Sequence, residues 1–297
     1  MTKNTNTDST THAALTGEFL LGGDLPVHRL GFGAMRLPTG TFQGPVRDPE
    51  TGVAVLRRAV ELGVNHIDTA WFYRRQGVVA NELIRTALAP YADDLVIATK
   101  VGPLLDSDGV PSGEAGPDEL RGLVEDNLRT LGVDRLDLVY LRVGGMNAPG
   151  GVSIADRFAA LAELREEGLI RHLGVSNVDA AQLAEARAIA PVAAVQNSFH
   201  VHDRGDAELL ARCEKDGIAF VPFFPLGGGY RPIDAAATAA VTARHRATTA
   251  QVALAWLLAS SPASLAIPGT GSLDHLEENM AAARILLTTE DLAALGD

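Results

Sequence analysis

One cysteine, Cys213, stands in 297 residues, so no internal disulfide can form and a reducing, cytoplasmic setting is expected. It falls within the helical pattern ELLARCEKDG and reads as a buried, inert thiol. Long apolar runs are missing too. No segment reaches the roughly 18 residues of a membrane span, and the N-terminal MTKNTNTDSTTHAALTG lacks the apolar core of a secretory signal. Positive charge is short: 25 Lys and Arg face 37 Asp and Glu, giving a net charge of −12. With no local basic cluster, a nucleic-acid partner is not expected, because such partners require a surface that displaces counterions.

What is present describes a globular protein with a large core, at 46% apolar and 21% charged residues. Residues 1–15 are Thr/Asn-rich, have little to bury, and are expected to form a disordered tail ahead of one domain over 16–297. Eight short apolar runs recur: 29–35, 65–70, 94–100, 137–142, 170–177, 193–197, 218–225 and 265–270. Between them lie amphipathic stretches such as PDELRGLVEDNLRTLG and IADRFAALAELREEG, several ending at glycine as helices do. Strands apolar on both faces, each followed by a helix, predict a parallel sheet covered all round, and eight such units predict a (β/α)8 TIM barrel. Ahead of the first run, GEFLLGGDLPVHRLGFG reads as a hairpin turning at Gly-Gly-Asp. Gly/Pro-rich inserts at 102–117, 143–152 and 226–236 follow strands, which puts them on the C-terminal face where barrels carry their sites. They are expected to shape the pocket.

The ends of the runs carry chemistry. The second offers Asp68 and, five residues on, Tyr73; Lys100 ends the third, Arg142 the fourth, Ser176 and Asn177 the fifth, and Gln196 and Asn197 the sixth. Each alone has an ordinary explanation, such as a strand-end lysine reaching water. A closed barrel, however, gathers all these ends at one mouth. A phenol has an unperturbed pKa of about 10, and adjacent cations favour its ionised form. Lys100 and Arg142 are therefore expected to make Tyr73 more acidic, with Asp68 holding Lys100, a group suited to protonating a carbonyl oxygen as hydride arrives from a cofactor.

The segments GVNHIDTAWFY, DLVIATKVG, LGVDRLDLVYLR, GLIRHLGVSN, VQN and IPGTGSLDHLEEN, in that order, resemble the motifs of the aldo-keto reductase superfamily over about residues 17–295. The resemblance implies an NAD(P)H-dependent barrel with an Asp, Tyr, Lys and His tetrad. Asp68, Tyr73 and Lys100 match the first three, and Arg142 stands where the histidine is found. Arginine stays protonated and cannot shuttle a proton, but it can donate hydrogen bonds to an oxygen-rich or anionic substrate. The combination of YLR, PFFPLGG and HLEEN is most similar to a bacterial branch that includes pyridoxal reductases. It implies reduction of small aldehydes or ketones, pyridoxal to pyridoxine among them.

The same resemblance assigns a cofactor site. Gly33, Ala34 and Met35 would approach the nicotinamide side, Ser176, Asn177 and Gln196 would hold the carboxamide, and Phe223 would stack on the ring. Leu226 and Gly228 would line the pyrophosphate, and Thr270, Ser272, His275, Glu278 and Asn279 would take the adenosine end. Many relatives carry Lys or Arg in that last segment to pair with the 2′-phosphate of NADP; here Gly269, Gly271, Ser272 and His275 stand instead. NADPH is favoured and NADH left open. Trp71 reads either as a wall of the substrate pocket or as packing. His66 reads as a buried strand residue, HVHD at 200–203 is too sparse for a metal site, and GFG at 31–33 lacks the rest of a dinucleotide fingerprint. No metal is expected, and the chain is expected to be a monomer or small homo-oligomer. The alternatives are a cofactor-binding regulator, or a lyase or isomerase exploiting Arg142; Tyr73 and Lys100 standing together disfavour a dead site.

Overall fold

The apolar runs pair in parallel, in chain order. The computed structural model describes residues 11–40, 44–107, 109–144, 149–229 and 231–296. Seven strands lie side by side: β1 (Phe32–Gly33), β2 (His66–Asp68), β3 (Val96–Val101), β4 (Leu136–Arg142), β5 (Ile170–Ser176), β6 (Val192–Gln196) and β7 (Ala219–Phe220). The eighth run, β8 (264–267), closes the ring. Leu265 N–H donates to Phe220 C=O at 2.8 Å on one side, and Ala266 N–H donates to Arg29 C=O at 2.8 Å on the other. The expected barrel is the fold.

Every residue of β3 is buried, because one face meets the barrel interior and the other the surrounding helices. The interior holds Val96, Ala98, Leu138, Ala194, Ala219 and Leu265. The outer layer sits between strands and helices α1 (Pro49–Glu61), α2 (Ala80–Leu88), α3 (Pro117–Leu131), α4 (Ala155–Glu166), α5 (Ala180–Ile189) and α6 (Ala207–Asp216). Two helices, α7 (Ala235–His245) and α8 (Thr249–Ser260), separate β7 from β8, and α9 (Leu273–Ala281) follows. Their ends obey local chemistry. Glu119 accepts from Gly116 N–H at 2.8 Å to start α3, and Gly132 ends it in the left-handed region at φ +72°. Cys213 is buried on α6 as expected, its thiol pushed up to about 12 by burial.

The N-terminal hairpin, Glu18–Leu21 against Leu25–His28, plugs the barrel floor with Leu21, Leu25 and Val27. Its turn uses Gly22 at φ +63°, where any Cβ would strike the His172 ring, so only glycine fits. Asp24 locks the plug by accepting from Arg171 at 2.7 Å and bonding His172 at 2.6 Å. The tail expected over 1–15 falls partly outside the described residues, which begin at Thr11. Its described end is ordered: Ala13–Thr16 form a 3-10 turn, Ala13 is fully buried, and Ala13 N–H donates to Leu62 C=O at 3.1 Å. The Thr-rich composition hides this apolar contact, and Thr16 adds a polar one by accepting from Leu30 N–H at 3.2 Å. Among the described residues no helix is long and apolar enough to cross a membrane.

Candidate active site

Register brings the chemistry to one rim. Gly33 lies opposite Asp68, Lys100 opposite Tyr140, and Arg142, Ser176 and Gln196 stand abreast. Tyr73 comes from the turn after β2, which is fastened to β3 by Trp71 N–H donating to Lys100 C=O at 3.0 Å. Lys100 Nζ donates to Asp68 Oδ1, and to Thr69 C=O at 2.8 Å. Gln196 Nε2 donates to the other carboxylate oxygen at 2.8 Å. Asp68 and Lys100 are each 2% exposed, so their pairing is sealed from water. The ammonium lies 5.0 Å from the centre of the Tyr73 ring. The expected Asp68–Lys100–Tyr73 group is thus assembled.

Behind it runs a clamp that sequence reasoning missed. Thr69 Oγ1 donates to Asn81 Oδ1 at 2.9 Å, Asn81 Nδ2 to Asn127 Oδ1 at 2.9 Å, and Thr99 Oγ1 to Asn127 Oδ1 at 2.7 Å. These bonds tie β2 and β3 to α2 and α3 beside the Asp68–Lys100 pair. Both asparagines are fully buried, yet asparagine in a helix reads from sequence as polar surface.

The acidity expected of Tyr73 needs correcting. Burial pushes its phenol above the ordinary value, and the Lys100 and Arg142 charges only reduce that rise. Partly buried and packed against the core, the side chain lacks the solvent that would carry a phenolate's charge. Tyr73 is consequently protonated at neutral pH, the form a proton donor needs.

Arg142 answers to its expected place. It is 8% exposed, donates to Ser176 Oγ at 3.3 Å, and stands 4.6 Å from the centre of the Phe223 ring. Burial pulls its guanidinium down to about 10, with Tyr73 and Glu114 opposing the shift, so it is charged at neutral pH. Trp71 does not wall the cleft. Its Nε1 donates to Asp126 at 2.8 Å and its face takes the Arg74 guanidinium, which turns it sideways onto α3. Phe72 lines the cleft in its stead.

The cleft measures about 300 Å³ and runs from Asp68, Tyr73, Lys100 and Arg142 past Gly33, Met35, Gln196, Phe223, Leu226 and Gly228 to Ile267–Gly269. The insert after β3 forms a hairpin, Pro103–Leu105 against Pro111–Glu114, and Pro103, Val110 and Pro111 face the cleft. Not every cofactor candidate lies on its wall. Ala34 and Ser176 are buried off that wall, and Asn177 donates to Val143 C=O at 3.0 Å, holding the backbone after β4. Thr270, Ser272 and His275 stand at the start of α9, beyond the far end, and Glu278 and Asn279 lie farther along that helix. There Thr270 Oγ1 accepts from Ser272 N–H at 3.0 Å and Ser272 caps the helix. The structure also adds Arg36, which donates to the Gly40 and Gly228 carbonyls from the cleft wall. It looks in sequence like any loop arginine. Tyr140 and His66 were legible: each lies two residues before a rim residue and so shares its inward face.

His66 is fully buried, and neither ring nitrogen has a hydrogen-bond partner. Burial lowers its pKa to about 4, against an opposing pull from Asp68. The folded chain thus keeps His66 neutral where the unfolded chain protonates it. This contribution is present in full above about 6.5 and lost as pH falls toward about 4, roughly 3 kcal/mol in all. Urea unfolding at pH 7 and pH 5 should show His66→Asn losing about 2 kcal/mol less than the unaltered chain between those values; equal losses would refute it. Among the described residues no group of three His, Cys, Asp or Glu side chains could hold a metal.

A family model described as the Aldo/keto reductase family matches residues 29–297. Pyridoxine 4-dehydrogenase of Escherichia coli is 47% identical over 275 residues, spanning 92% of this chain and 95% of that protein. An uncharacterized oxidoreductase of Schizosaccharomyces pombe is 39% identical, spanning 93% and 88%. Among solved structures, an aldo-keto reductase from Klebsiella pneumoniae in complex with NADPH aligns with a TM-score of 0.77 at 29% identity, over 94% of this chain and 93% of that one.

Proposed function

Because this chain belongs to the aldo/keto reductase family, we propose that its cleft reduces the carbonyl group of a small aldehyde or ketone with NADPH. The carrying observation is the buried Lys100–Asp68 pair set against the Tyr73 ring. Tyr73 gives its proton to the carbonyl oxygen, and the Lys100 and Arg142 charges stabilise the phenolate left behind. Asp68 keeps the ammonium aimed at the ring. Bound NADPH supplies the hydride.

The residues present suit that cofactor. Phe223, Leu226 and Ile267 offer an apolar wall, Gln196 Oε1 is buried without a hydrogen-bond partner, and Arg36 and Arg47 bring positive charge to the far end. Ser176 and Gln196 would hold the carboxamide, Leu226 and Gly228 the pyrophosphate, and the start of α9 the adenosine end. Ser176 and Phe223 are also the partners of Arg142, so the nicotinamide corner contains a cation.

For the substrate we favour pyridoxal, on the strength of the identity to pyridoxine 4-dehydrogenase. Pyridoxal carries a phenolic oxygen beside its aldehyde, and a fixed guanidinium is a good partner for that oxygen. Adding pyridoxal should consume NADPH absorbance; silence with pyridoxal and with a panel of aldehydes would end the reductase reading and favour a binding module. Arg142→Ala should raise KM for pyridoxal by about tenfold or more, while changing it little for an aliphatic aldehyde. Unchanged kinetics in both Arg142→Ala and Arg142→His would remove Arg142 from substrate binding. A cytoplasmic location, suggested by the single cysteine, fits this role.

A further inference from the structure

No lysine or arginine occurs between residues 247 and 283, so the segment that opens α9 carries no permanent positive charge of its own. The fold brings one from elsewhere. Arg47, in the connection from β1 to α1, lies against this segment: a Cβ added at Gly271 would fall inside its guanidinium, and one at Gly40 would sit 3.2 Å from its Nη2. The guanidinium is therefore held between two glycines. Its Nε is buried without a hydrogen-bond partner, and among the described residues no carboxylate forms an ion pair with it. The backbone beneath is fixed. Arg47 N–H donates to Pro38 C=O at 2.9 Å, Thr39 bridges Val46, and Asp48 caps α1 by accepting from Thr51 N–H at 3.0 Å. Arg36, by contrast, is engaged with the Gly40 and Gly228 carbonyls.

An arginine placed like this, pre-positioned and without a carboxylate, suits a doubly charged phosphate monoester. Resting on the cofactor reading above, we propose that Arg47 binds the 2′-phosphate of NADPH and sets the preference for NADPH over NADH. Gly271 contributes by lacking a side chain, since the guanidinium takes the space a Cβ would fill. The cation missing from the α9 segment is replaced from the other end of the chain, across the β1–β8 seam.

Calorimetric titration of the unaltered protein and its variants with NADPH and with NADH tests this without catalysis. The unaltered protein should bind NADPH more tightly, and added salt should narrow the gap. Arg47→Gln should weaken NADPH by about tenfold or more and leave NADH within about twofold. Gly271→Ala should do the same by pushing the guanidinium aside, and Arg47→Lys should restore part of the preference. The unliganded unfolding midpoint of each variant, close to that of the parent, excludes a folding defect. Equal weakening of both cofactors would put Arg47 on the pyrophosphate and overturn the proposal, as would no weakening of either. Failure of the unaltered protein to bind either cofactor would remove the cofactor reading itself, and this inference with it.

Discussion

Replacing Tyr73 with phenylalanine is expected to slow carbonyl reduction by about two to four orders of magnitude, while NADPH binds within about twofold of its original affinity. The substitution deletes one hydroxyl and keeps the ring that packs beside Lys100, so the loss belongs to the proton and not to the fold. Direction of titration gives a second check. Burial holds the phenol above its ordinary value, and the donor must be protonated. Reduction should accordingly run at a level rate through neutral pH and decline only as pH rises through the phenol's raised pKa, above about 10. Alcohol oxidation, which needs the phenolate, should rise over the same alkaline range. Turnover by Tyr73→Phe at the parent rate would leave the mechanism without its acid.

Lys100→Met should be the more damaging change to the protein itself. It strands Asp68, 2% exposed, with Gln196 as its remaining donor. Leaving a buried charge without its counterion costs about 3–5 kcal/mol, enough to show as a large shift in the urea midpoint. Lys100→Met combined with Asp68→Leu removes both charges and should recover most of the loss, because a matched apolar pair has no desolvation penalty. A single variant as stable as the parent at pH 8 would show that the pair is not sealed as described.

How much of this was legible in the sequence differs from residue to residue. Asp68, Lys100 and Arg142 were legible because each stands at or near the end of an apolar run, and a run buried on both faces fixes which way its last residues point. Tyr140 and His66 were equally open to that argument through the two-residue period. Trp71 was not: whether its ring faced the cleft depended on Asp126 and Arg74, one of them on α3, 55 residues along the chain. Asn81 and Asn127 were hidden for the same reason, as the bonds that bury them reach residues on other elements, although Asn127 also donates to Leu123 C=O in its own helix. The acidity of Tyr73 was misjudged because a list of neighbouring charges omits the surrounding protein, and here loss of solvent outweighs two cations.

The sequence by itself determined the alternation of strands and helices, the closure into eight units, and the residues that reach the rim. These follow from local periodicity and from side-chain chemistry carried at fixed offsets along each run. Only the tertiary structure decided which groups meet across the ring: Gln196 with Asp68, Arg142 with Phe223, and Arg47 with Gly271. Those meetings join positions far apart in the chain. Their distances depend on how strands register and loops return, which no local pattern encodes.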